Sequence, residues 1–267
     1  MGKAVDTQTV VNALKSLIEQ YAAGEAEVVT TYFARPRTKE MDIAWLKKQA
    51  GRELGEAVKV AGYLTRGAPL IDKGVDRHEF ESTARKCMEE TRHYRLLADI
   101  LEDLTRGQPI DPDEIMLYAP LRPHPELPDK NSWLEIDSEL KASKEPAVQL
   151  ALSLTEGLGS GIYIGGSQIK GDELEEKMRH AFHVIAEDEL RHGPKDIVEV
   201  ASKIETEEDL EKALAALREY AKRHLRMRNE TFGHPLSNQR LEEIDRGLVT
   251  PLQVDYTNIS PISPYSM

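Results

Sequence analysis

The sequence predicts an all-α protein, and more narrowly a four-helix bundle with one long crossover and additional helices at its N- and C-terminal ends. Three observations lead there. Apolar residues recur at three- and four-residue intervals, in segments too long for strands. Gly and Pro punctuate those segments at their ends. The links between them run short, long, short, which is the connectivity of two helical hairpins joined by one long connection.

Taken in order, residues 7 to 22 place Val10, Val11, Leu14, Leu17, Ile18 and Tyr21 on one face, and the helix is expected to stop near "AAGE". The first bundle helix runs from Lys39 to Arg66 and ends at "RGAPL". The second begins near Asp76 and ends at Arg106-Gly107. Residues 107 to 140 are dense in proline, cannot continue a helix and read as one long connection. The third bundle helix spans Pro146 to Ile169, and the fourth runs from Glu173 to Lys203. A fifth helix, Glu207 to Arg228, reads as an amphipathic cover, and the tail from Gly233 to Met267 as irregular. The chain is expected to be a single domain over 1–267, with the bundle at 40–204 and the extra helix and tail at 205–267.

Composition narrows the function. A chain of 267 residues with 40% hydrophobic and 31% charged residues can bury a substantial core. A net charge of -12 argues against a nucleic-acid partner, because neutralising phosphates needs an excess of Lys and Arg. One cysteine excludes an internal disulfide framework and a Cys-rich metal site. No stretch approaches the roughly 20 apolar residues that span a bilayer, and no apolar leader follows a basic segment. The expectation is a soluble, cytoplasmic protein with no membrane partner.

Two motifs carry chemistry. "CMEETRHYRLL" sets Glu90 and His93 three apart, and "AEDELRHG" repeats the spacing with Glu189 and His192. Residues three apart share a helix face, so a carboxylate and an imidazole can converge on one ion. Glu-x-x-His also arises by chance in a Glu-rich chain; the joint pattern carries the reading. Both motifs lie on the second helix of a hairpin, and both follow an acid, Glu89 or Asp188. Glu156 is the sole acid between Pro146 and Ile169, where an unpaired buried carboxylate is costly unless it is protonated, hydrogen-bonded or metal-bound. On the first bundle helix, Glu53 interrupts the seam Leu46, Ala50, Ala57, Val60 and Leu64, whereas Glu56 shares a stripe with Arg52, Lys59 and Tyr63. Glu56 precedes Glu90 by nearly the interval separating Glu156 from Glu189, and Glu53 by three residues more. Facing outranks spacing, since a loop absorbs three residues and a helix face does not, so Glu53 is the chosen ligand. His180 and His183 lie off this face and read as solvated surface; Tyr94 and Tyr163 read as core residues near the ligand turns.

The set Glu53, Glu90, His93, Glu156, Glu189 and His192 resembles the ferritin-like superfamily of di-iron or iron/manganese carboxylate proteins, over roughly residues 40 to 204. Asp188-Glu189-Leu190-Arg191-His192 matches that superfamily's Asp-Glu-x-x-His form, and Glu89 stands in the Asp position of the other motif. The resemblance implies two iron ions, with iron/manganese as the variant, and gives Asp188 and Glu89 the task of hydrogen-bonding the free nitrogen of a His. It also implies dioxygen or peroxide as oxidant and an external electron donor. Three functions compete: oxidation or oxygenation of a small organic substrate, iron oxidation or peroxide removal, and a bundle that merely keeps a metal. Length, the crossover and the terminal additions favour the first; no Cys-x-x-Cys is present for a built-in electron-transfer module. The first reading requires a pocket walled by Glu156 and the glycine-rich face of Gly157, Gly159, Gly161, Gly165 and Gly166, with Cys87, Phe182, Ile185 and Ala186 as apolar lining. Close helix packing is the competing use of those glycines. Oligomeric state is left open, a homodimer being admitted.

Overall fold

The structure, a computed structural model, describes residues 3–192 and 194–253, without the side chains of 156–157 and 191–196. Every regular element among the described residues is a helix; pairing outside helices is confined to the isolated bridges Ala4–Thr206 and Ile71–Val75. No helix among them is long and apolar enough to cross a membrane.

The first helix, α1 (Thr7–Ala34), continues a full twelve residues past the stop expected near "AAGE". Gly24 is no terminator there. A Cβ at that position would sit 2.9 Å from Ile244 Cγ2, so the glycine admits a C-terminal helix rather than a turn. Buried along most of its length, from Val10 to Tyr32, α1 is the spine of the core.

The first hairpin matches its reading closely. Thr38 and Asp76 cap α2 (Lys39–Gly67) and α3 (Arg77–Leu104) by accepting backbone N–H groups from Met41 and from His78 and Glu79. These two long helices pack against each other along their length.

The proline-dense connection is long, as read, but it is not free of helix. It holds α4 (Pro112–Met116) and α5 (Pro128–Ala142), and in each a proline occupies the first turn. Proline breaks a helix interior, but its missing N–H costs nothing at a helix start, where that donor is unsatisfied anyway. The carboxylate of Glu230 accepts the backbone N–H groups of Asp129 (3.0 Å) and Lys130 (2.9 Å), docking the start of α5.

The third bundle helix is broken into α6 (Pro146–Leu152), α7 (Thr155–Leu158) and α8 (Ser160–Gly166). Ser153 and Thr155 hydroxyls donate back to the carbonyls of Leu150 and Leu152, competing with the helical ladder at the first break. The glycines that follow serve contact. A Cβ at Gly161 would lie 2.2 Å from the Ala22 carbonyl oxygen, one at Gly165 would lie 2.8 Å from Ala26 Cα, and one at Gly166 would enter the Phe182 ring. Gly161→Ala is therefore expected to destabilise the protein by about 1–3 kcal/mol, read as a lowered urea midpoint, because α8 must move off the backbone of α1.

The fourth helix likewise divides, into α9 (Glu173–His192) and α10, which opens at Pro194 (Pro194–Ser202). Beyond it, α11 (Glu207–Thr231) is no mere cover, since Tyr220, His224, Arg228, Asn229 and Glu230 are all buried. The tail carries one more helix, α12 (Asn238–Asp245), whose Leu241 and Ile244 are buried; its amphipathic repeat is too short to stand out in the sequence. The rest of the tail reading, 254–267, lies outside the described residues. In packing order α2 lies on α3, α3 on α9, α9 on α8, α8 on α1, and α1 on α11, which also carries α5 and α6. Buried apolar residues from α1 through α12 form one contiguous core.

Candidate metal centre

Burial selects the centre. Along α2 the apolar seam turns Glu53 inward, where it is 3% exposed; along α3 the three-residue spacing turns Glu90 and His93 to meet it, both buried. His93 Nδ1 stands 3.7 Å from Glu53 Oε2 and 3.7 Å from Glu90 Oε2. One donor atom from each of the three lies within 4.8 Å of the others. Donors about 2.1 Å from a common ion lie roughly 3–4 Å from one another, so these separations suit a cation at their centre.

The imidazole is fixed from its other side. Its Nε2 is 3.0 Å from Asp188 Oδ2, and Arg92 donates to the same carboxylate oxygen. With Nε2–H directed at Asp188, Nδ1 faces the two glutamates and, once its own proton is displaced, offers its lone pair to an ion between them. Nδ1 is buried and has no hydrogen-bond partner. A buried nitrogen left without one is costly unless something fills the gap, and the donor set fits a hard or borderline divalent cation.

Glu53 is itself oriented. Tyr163 OH donates to its Oε1 at 2.8 Å, and the Gln49 amide donates to the same oxygen and, at 2.9 Å, to Tyr163 OH. Burial pushes the Glu53 carboxyl up, but His93, Arg52 and Tyr163 together outweigh it and hold the group well below the usual range. Burial keeps the Glu90 carboxyl high against the opposing pull of His93. For His93, burial opposes the charge, yet the two carboxylates raise its pKa to about 10.

A cavity of about 400 Å³ adjoins the cluster, with Glu53, Glu90, Glu189 and Tyr163 on its wall. Tyr63 and Leu121, both exposed, mark its outer end. Glu189 is half-buried on α9, close enough to raise the His93 pKa. Glu56 is half-buried farther along the same wall and paired with Lys59 at 2.8 Å, off the cluster. The predicted apolar lining is wrong. Phe182 stacks on Trp45, ring centroids 5.8 Å apart, and Ile185 and Ala186 are sealed in the apolar core. Cys87 faces the Ala57 carbonyl. Each lies one turn from a proposed ligand, yet none of them lines the cavity. Of the predicted glycine wall only Gly159 reaches the cavity, the others described being spent on helix contact. The side chains of Glu156, on α7, and His192, the last residue of α9, lie outside the described residues. Glu89 is half-buried on α3, and Tyr94 packs against the core. His180 and His183 are exposed on α9.

Part of the cavity wall comes from a helix that sequence reasoning set aside. Tyr220, His224 and Arg228 of α11 line the cavity, with Arg52 of α2 and Trp133 of α5. Their four-residue spacing is the signal, masked by the surface cations of "YAKRHLRMRNE". Burial lowers the His224 pKa to about 4 against the pull of Glu25, whose Oε1 lies 2.6 Å from Nδ1. Comparison of the chain with known protein families, with curated proteins and with solved structures found no match.

Proposed function

We propose that Glu53, Glu90 and His93 are one half of a two-metal centre completed by Glu156, Glu189 and His192, in a bundle of ferritin-like connectivity. The protein is then a non-haem di-metal carboxylate oxidoreductase that uses dioxygen, with electrons from an external donor, to oxidise or oxygenate a small organic molecule. The observation that supports this most is the buried Nδ1 of His93, without a hydrogen bond, between two buried carboxylates and backed by Asp188. Two iron ions, or iron with manganese, would supply the redox chemistry at this donor set. The chain's own residues do the remainder. Asp188 keeps the proton on Nε2, Tyr163 and Gln49 orient Glu53, and the cavity beside them is of a size that admits an organic molecule. That cavity favours the organic substrate over iron oxidation, which needs a path only for ions.

Metal analysis of the purified protein, paired with anaerobic reduction and re-exposure to oxygen, tests the reading. Two transition-metal ions per chain and an absorption band that returns only with oxygen are expected. A single redox-inert ion, or no spectral change, would refute it; a large shell of bound iron would point to storage.

A further inference from the structure

Arg228 is 0% exposed, and its guanidinium is only partly used. Nη1 donates to Gln49 Oε1 at 3.0 Å. Nε and Nη2 are buried with no hydrogen-bond partner, and among the described residues no carboxylate lies within ion-pair distance. A buried guanidinium with two open donors is costly, and these two are the pair that forms one planar, bidentate edge. Arg228 lines the same cavity as the glutamate cluster. It is tied to that cluster through a single side chain, Gln49, whose amide donates to Glu53. Its Cζ is 5.9 Å from the ring of Tyr163, which also donates to Glu53.

The charges around the cavity sort into used and unused. Toward the outside, Lys59 pairs with Glu56 at 2.8 Å and Lys141 with Asp137 at 2.7 Å. Inside, Arg52 makes no hydrogen bond or ion pair with described residues, and both it and Arg228, whose unpaired edge lies just beneath the wall, line the space next to Glu53, Glu90 and Glu189. Trp133, Tyr220 and Leu152 give that space apolar walls.

We propose that the open edge of Arg228 binds the carboxylate of a small organic acid, seating its hydrocarbon part in the cavity beside the metal centre. This names the substrate class of the function proposed above and rests on that reading for its catalytic meaning. A planar monoanion suits one bidentate edge. A phosphate dianion asks for more donors and meets stronger repulsion from the three glutamates.

The test is equilibrium binding to the full-length protein, as purified and after chelation of its metal, followed by calorimetry and by tryptophan fluorescence, to which Trp133 on the cavity wall contributes beside Trp45. The probes are hexanoate and benzoate, their neutral amides, and inorganic phosphate. At least one acid is expected to saturate with Kd near or below about 1 mM, and about tenfold or more tighter than its amide. Arg228→Met should weaken it about tenfold or more, and Arg228→Lys should not restore it, since an ammonium lacks the planar edge. Acid binding that ignores both Arg228 variants, or that vanishes on chelation alone, places the acid on the metals and overturns the proposal while leaving the two-metal function standing. Equal binding of acid and amide, preference for phosphate, or no binding of either acid by about 10 mM overturns it also. Should Arg228→Met fail to fold by circular dichroism, the acid–amide difference and Arg228→Lys decide.

Discussion

Glu53→Ala is expected to lose most of the bound metal, with affinity falling on the order of 100-fold or more, while Glu56→Ala keeps nearly all of it. The two residues are one helical turn apart and chemically identical, so the contrast isolates geometry. Glu53 is buried, its Oε2 3.7 Å from His93 Nδ1, and its other oxygen is held by Tyr163 and Gln49. Removing it deletes a proposed ligand that the fold has already oriented, and takes one acceptor from each of those two donors. Glu56 is half-buried and matched by Lys59, so its loss costs little more than a partly exposed ion pair. Metal content per chain after gel filtration, with circular dichroism to confirm folding, checks both variants. Equal loss, or loss only at Glu56, would show that the interval between motifs is a better guide than the apolar seam.

Metal binding is expected to strengthen by up to about tenfold per pH unit at pH values below the raised pKa of His93, with proton release on uptake. In the metal-free protein Glu53 and Glu90 hold a proton on His93 up to about 10, and an ion at Nδ1 must displace it. Affinities measured at pH 7 and 9 should differ by about 100-fold, and calorimetry in buffers of different ionisation enthalpy should count the proton. A flat profile would show that Nδ1 is not a ligand. The same shifts set the stability of the metal-free protein. The raised group, His93, contributes fully below its unfolded value near 6.5, and loses that contribution as pH rises toward about 10. The lowered group, Glu53, contributes fully above its unfolded value near 4.5 and loses that contribution as pH falls toward about 2. Glu90, also raised, loses its contribution as pH climbs above its unfolded value near 4.5, so urea midpoints of metal-free protein should be highest, as far as this cluster governs them, near pH 4.5.

By itself the sequence determined what depends on a residue's own helix. The period of the apolar residues identified helices rather than strands and turned Glu53 inward and Glu56 aside; the three-residue interval put Glu90 and His93 on one face. Starts near Lys39 and Asp76 were equally local, since a cap needs only the residues beside it. What depends on a distant partner was decided by the tertiary structure. A glycine reads as a stop until something packs against it: Gly24 continues α1 because Ile244 approaches there, and Gly161 lets α8 meet the Ala22 backbone. Prolines read as breaks until the chain on either side is placed, and those of the crossover instead open α4 and α5. Asp188 and His93 are far apart in the chain and meet because α3 packs on α9. Arg228 looks like one more surface cation of α11 until packing buries it against Gln49 with two donors open. Facing and capping are written within a few residues, whereas burial and pairing depend on which separate helices come together, and that follows from the packing of the whole core.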